Sequence, residues 1–291
     1  MIEFLLGPLD FDLTRRALIE VTILGVACGA IGVLVVLRGL SFIGDALGHC
    51  VVPGVVGAFV VRGSITLWGG ATALLAAWAM ALLVRRLKLG GDPAIAIVFS
   101  GAFALGLAMI SATRSYVTDL TEILFGNVLA VSALDIWASA GVAAAALLAL
   151  YLLFRPLVFA SFDPVGARAL GLPLDALDLG LYALIALAVV AGLAAVGALL
   201  VTALLIVPAA TARLLVRGVS RQMALSGALG CAAGWIGLYA SYYWDLASGG
   251  AIVLAAVGLF ALGLAASPRR GLPAWWRGRR LRRTARATVA A

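Results

Sequence analysis

Apolar runs of about 20 residues, the length an α-helix needs to cross about 30 Å of hydrocarbon, follow one another along nearly the whole of this 291-residue chain. They lie near residues 17–37, 41–61, 65–84, 93–113, 132–154, 177–195, 197–212, 222–241 and 248–267. A bilayer core offers the backbone no hydrogen-bond partners, so such runs must close their own bonds as helices and pack on one another. The expected fold is therefore all-α: a polytopic integral membrane bundle of about nine transmembrane helices over residues 1–268, followed by a basic tail at 269–291. Eight spans is the alternative, because the turn between Gly192 and Gly197 and the brief segment before Pro208 both suit a re-entrant stretch. Composition agrees, with 64% hydrophobic and 12% charged residues where soluble domains carry about 25% charge.

The first residues lack the basic-then-apolar layout and cleavage site of a signal peptide, so the apolar segments read as retained anchors. Cys28, Cys50 and Cys231 have no paired spacing, which indicates neither a disulfide framework nor a zinc finger. The net charge of +8 marks topology rather than nucleic-acid binding. With the N-terminus outside, one set of loops holds 17 of the 21 basic residues, including Arg38, Arg85, Lys88, Arg168, Arg213 and eight tail arginines, and the other set holds four. Positively charged loops stay cytoplasmic, so the expectation is N-terminus out and C-terminus in. Trp275 and Trp276 beside the tail arginines read as an interfacial anchor on anionic lipid headgroups.

Asp45 and His49, the only histidine, fall inside the second apolar run. Residues four apart share a helix face, and at about 1.5 Å per residue a span begun near Ser41 carries them roughly 6 and 12 Å inward. Ionisable groups at that depth are costly and by default functional. Three readings are open: a buried pair that satisfies itself, a proton relay, or ligands of a metal cation. One carboxylate oxygen and one imidazole nitrogen suit Mn²⁺, Zn²⁺ or Fe²⁺ better than an alkali ion. Two donors are few for one ion, and a homodimer with this helix at its two-fold axis would supply four. Pro53, followed by Gly54, marks a helix break near the site and is expected to free the carbonyl of His49, since proline has no N–H to donate to it. Cys50 faces about 100° away and reads first as packing.

Outside this span, Gly25 and Gly29, and again Gly44 and Gly48, form small-xxx-small faces for close helix approach. Residues 114–131 read as an ordered outer loop whose Asp119 and Glu122, with Asn127 nearby, are candidates for docking a cation or a protein. After the fifth span, residues 162–171 read as a short surface helix with Asp163 as N-cap, Pro164 in the first turn and Gly171 at the C-terminal cap.

The run from Leu37 to Gly54 closely resembles the second membrane segment of the zinc, manganese and iron ABC permeases, with their Gly-Asp-Ala-x-x-His-x-x-x-Pro-Gly pattern. Phe125 to Ser132, Phe162 to Gly171 and Val196 to Thr211 resemble that family in the same order, and the likeness covers roughly residues 15–266. The resemblance implies a subunit of the bacterial cytoplasmic membrane that pairs with a second copy of itself, two cytoplasmic ABC ATPase subunits and an extracytoplasmic metal-binding protein. It implies no permanently bound cofactor, with manganese or zinc, or else iron, as transported ion. Asp45 and His49 match the metal pair, and Asp163, Pro164, Ala167, Arg168 and Gly171 fall in the helix that couples to the ATPase. Cys50 departs from the family's usual small residue and keeps a thiolate ligand open. The chain has no Gly-x-x-x-x-Gly-Lys-[Ser/Thr] phosphate loop, so it is not expected to be an enzyme, and ATP hydrolysis would belong to the partner. A proton-coupled secondary metal carrier is the alternative. An intramembrane hydrolase finds no His-Glu-x-x-His or Gly-x-Ser-x-Gly arrangement, and a purely structural scaffold would leave Asp45 and His49 without a task.

Overall fold

A computed structural model describes residues 7, 11–40, 42–87, 91–113 and 131–267. Among these the chain is helical, in the order α1 (Asp12–Arg38), α2 (Ile43–Cys50), α3 (Val52–Val61), α4 (Ile65–Arg86), α5 (Gly91–Thr113), α6 (Ala133–Phe162), α7 (Pro164–Ala169), α8 (Leu174–Val196), α9 (Ala198–Leu215), α10 (Val219–Trp244) and α11 (Ser248–Ala266). Nine candidate spans result among the described residues, α2 and α3 together forming the second. The Gly192–Gly197 turn does not cost a span. α8 runs on to Val196, and Gly197 alone breaks it with φ +82° and ψ 158°, a region open in practice only to glycine. Pro208 sits within α9 rather than ending it.

Packing follows the small residues. α1 lies at the centre, against α6, α8, α9 and α10, while α2 is flanked by α4, α5, α8 and α9. A methyl added at Gly29 would stand 2.7 Å from the backbone nitrogen of Gly227, and one at Gly25 2.8 Å from that of Cys231, so α1 and α10 meet backbone to backbone. With lipid as apolar as leucine, such close van der Waals contact holds helices together. α5, α6 and α11 keep most of their apolar surface outward.

Chain ends are closed by local chemistry. α1 stops where Gly39 takes φ +71° and the Leu40 N–H reaches back to the Val35 carbonyl at 3.0 Å, a Schellman cap. α6 starts with a capping box between Ser132 and Asp135 and continues for 30 residues through Pro156. At about 1.5 Å per residue it is about 45 Å long, more than the about 30 Å of a hydrocarbon core, and it ends at Phe162. α7 follows there: Asp163 Oδ1 accepts from the Gly166 N–H at 2.8 Å, Pro164 fills the first turn, and Gly171 at φ +73° closes a second Schellman cap through Leu172 N–H to Ala167 O at 3.0 Å. Ala167 is buried, while Arg168 points outward.

Candidate metal centre

The sequence places Gly44 and Gly48 on one side of α2 and Asp45 and His49 on the next. The glycine side presses on α9, where a methyl at Gly48 would stand 2.5 Å from the Ala198 Cβ. This leaves the polar side directed at α5. Asp45 Oδ1 and His49 Nε2 lie 3.8 Å apart, with the two side chains 34% and 26% exposed. Donors on one tetrahedral ion at about 2.1 Å stand about 3.4 Å apart, so a small side-chain adjustment would let both reach one cation. The imidazole is walled by two aromatic edges, Phe99 at 5.5 Å and Phe103 at 5.6 Å between ring centroids, and those rings stack on each other at 6.0 Å. Its Nδ1 is buried without a hydrogen-bond partner. The wall confines the ring and aims Nε2 toward Asp45.

The helical ladder breaks at Val51, two residues before Pro53, since the bond that proline cannot make belongs to the carbonyl of His49. That carbonyl is not free, which corrects the expectation above: the Val51 N–H is directed at it. Pro53 sits in the first turn of α3, and Gly54 lets α3 approach the Trp68 carbonyl of α4 so closely that a side chain there would collide with it. Cys50 is 1% exposed within the apolar core. No group of three or more His, Cys, Asp or Glu side chains able to hold a metal exists among the described residues, so Cys50 does not complete a three-ligand set with Asp45 and His49. Asp119, Glu122, Asn127, Lys88 and the tail from 269 lie outside the described residues.

Three features escaped the sequence reading. Phe99 and Phe103, spaced by four on α5, supply the wall just described. Glu20 is fully buried in α1 and accepts a 2.6 Å hydrogen bond from Ser139 Oγ of α6, while its Oε1 has no partner. A lone carboxyl inside an apolar run was a signal available from residue type alone. Arg38 Nε donates to Ser161 Oγ at 2.9 Å, and Nη1 bonds Asp178 Oδ1. Removing one partner of a buried polar pair strands the other at a cost of about 1–3 kcal/mol. Ser139→Ala is accordingly expected to lower the melting temperature of the detergent-solubilised protein, and Glu20→Gln, which can still bond Ser139, to lower it less.

These helices form a polytopic membrane bundle with an ionisable pair inside the second span. The chain belongs to the ABC 3 transport family, whose model matches residues 10–267. It is a permease subunit, not an enzyme, and an integral protein of the bacterial plasma membrane. It is 40% identical to the "Manganese transport system membrane protein MntC" of Halalkalibacterium halodurans, over 94% of each chain. It is 33% identical to the "Probable iron transport system membrane protein" of Haemophilus influenzae, over 93% of this chain and 99% of that one. Among solved structures it resembles PsaBC from Streptococcus pneumoniae in complex with Fab, with 36% identity, a TM-score of 0.81 and coverage of 93% of this chain and 98% of that chain. The resemblance read from four motifs thus extends over almost the whole sequence.

Proposed function

We propose that this permease imports a divalent transition metal, manganese first, with Asp45 and His49 as the ligands on its path. The observation that carries the reading is the pair itself, 3.8 Å apart, part exposed and set on the short helix of the second span. The names of the relatives, manganese most often and iron once among those compared, support a cation of this class. A second copy of the chain supplies a second aspartate and histidine, which raises two donors to four and gives binding that remains reversible. α7 faces the cytoplasm and receives the motion of two ABC ATPase subunits, the N-terminus lies outside, and an extracytoplasmic binding protein delivers the metal there. Alternating access then opens the pair to one side at a time. Asp119, Glu122 and Asn127 stay as candidates for the delivery side.

The test is uptake of radioactive manganese by proteoliposomes holding the permease and its ATPase subunits, with the metal-loaded binding protein supplied on the side opposite α7. Uptake that requires internal or external ATP on the α7 side, and persists when the proton gradient is collapsed, is the expected result. Uptake without the ATPase and driven by a proton gradient would instead establish a secondary carrier. Zinc and iron as competitors rank the cargo.

A further inference from the structure

Arg38 stands where the ends of α1 and α6 and the start of α8 come within reach of one side chain. It is the last residue of α1, and beyond the left-handed turn at Gly39 the chain enters α2, which bears Asp45 and His49. Its guanidinium bonds Ser161, the penultimate residue of α6, two positions before the Asp163 cap of α7. It also bonds Asp178 in the second turn of α8, the helix that leaves α7. The chain segments entering and leaving α7 are thus fastened to the base of the α2 corner by a single planar cation. The fork geometry of arginine suits two acceptors at once, whereas lysine presents a point charge.

The surroundings favour transmission of movement over damping. Arg38 is only 14% exposed on its side chain, so the pair is poorly screened by solvent. The other ion pair that joins two helices among the described residues, Arg85 with Asp175 at 3.6 Å, involves an aspartate 79% exposed and is worth little. Ser161 is held in orientation because its hydroxyl donates to the Leu157 carbonyl at 2.6 Å while accepting from Arg38. The α1 end is steadied from its other side by Arg213 of α9, whose Nη1 donates to the Val36 carbonyl at 3.0 Å. Beside the pair lies a cavity of about 370 Å³ lined by Arg38, Leu40, Arg85, Asp92, Asp178 and Tyr182.

We propose that Arg38 is a positioning residue that links α7 to the metal-bearing α2, so that displacement of α7 is passed through Ser161 and Asp178 to the Gly39 turn and hence to Asp45 and His49. The proposal rests on reading α7 as the ATPase contact and Asp45 with His49 as the cargo site.

Its test uses the full transporter in proteoliposomes, with manganese uptake and ATP hydrolysis measured in the same vesicles. Arg38→Gln is expected to lower manganese moved per ATP hydrolysed by about tenfold, a usual size for one coupling term, while hydrolysis and manganese binding in the absence of ATP stay near the parent values. Arg38→Lys, which keeps the charge but not the fork, should recover part of the ratio. Ser161→Ala, which keeps the ion pair and is the milder variant should Arg38→Gln fold poorly, should lower it about threefold. A fluorophore on Phe42→Cys, at the exposed base of α2, gives a readout independent of the cargo: the parent signal changes on adding ATP, and the Arg38→Gln signal does not. An unchanged ratio of metal to ATP, uptake and hydrolysis falling in equal proportion, or an ATP response that survives Arg38→Gln would each overturn the linkage. Failure of the cargo reading shows differently, as parent-level uptake by Asp45→Ala with the Phe42→Cys response intact.

Discussion

Asp45→Ala and His49→Ala are each expected to reduce manganese uptake by on the order of 100-fold or more, with the protein still present in the membrane at the parent level. Loss of residues that merely support a ligand already costs about 10- to 100-fold in affinity, and on the proposed reading each substitution here removes a ligand outright. In a two-copy site it removes two. Asp45→Asn keeps an oxygen donor and loses only the charge, so its defect should fall between parent and alanine. The hazard for His49 is mechanical, because its ring fills space against Phe99 and Phe103. His49→Phe keeps that volume and withdraws the nitrogen, and it should be as inactive as His49→Ala while melting closer to the parent. Parent-level uptake by His49→Phe would remove the histidine from the path.

The second large effect concerns assembly rather than transport. A methyl added at Gly32 of α1 would fall on the carbonyl oxygen of Leu205 in α9. No rotamer choice relieves a clash between a Cβ and a backbone, so the helices must separate. Overpacking of a well-filled interior usually costs about 1–3 kcal/mol and occasionally more. Gly32→Ala belongs at the upper end, because α9 is gripped on a second side by Gly44 and Gly48 of α2. We expect little folded protein in detergent, read by size-exclusion profile and melting temperature. Gly258→Ala in α11, where nothing lies within 4 Å of an added Cβ, is the matched control. It should leave stability unchanged or raise it by about 0.5–1 kcal/mol through helix propensity. Equal behaviour of the two variants would contradict the close contact of α1 with α9.

Much of this architecture is legible in the residues because a bilayer restricts the options. Length and apolarity mark nine spans with small boundary errors. The largest error is at α6, where Arg155 and Pro156 look like an ending and the helix instead runs on to Phe162. The spacing of Asp45 and His49 and the caps of α7 are local, so they can be read from neighbours in sequence. Arg38 could not be read this way. Its partners lie 123 and 140 residues onward, and only the packing of α1 against α6 and α8 brings them together. In sequence it counts merely as one more basic residue at a helix end. Glu20 differs, since its residue type and position were visible and only its partner Ser139 was hidden. The break at Val51 shows how a correct cause predicts an incorrect detail. Pro53 does interrupt the ladder, yet the carbonyl it abandons finds the Val51 N–H.

That break divides the second span into two bodies of 8 and 10 residues, α2 and α3. The longer one is packed on α4 at Gly54, and the shorter on α9 at Gly48. On the proposed reading of Asp45 and His49 as the cargo site, a tilt of the two turns of α2 would be enough to move the cargo's ligands. On that reading the outward surfaces of α5, α6 and α11 would not have to slide through the bilayer in each cycle.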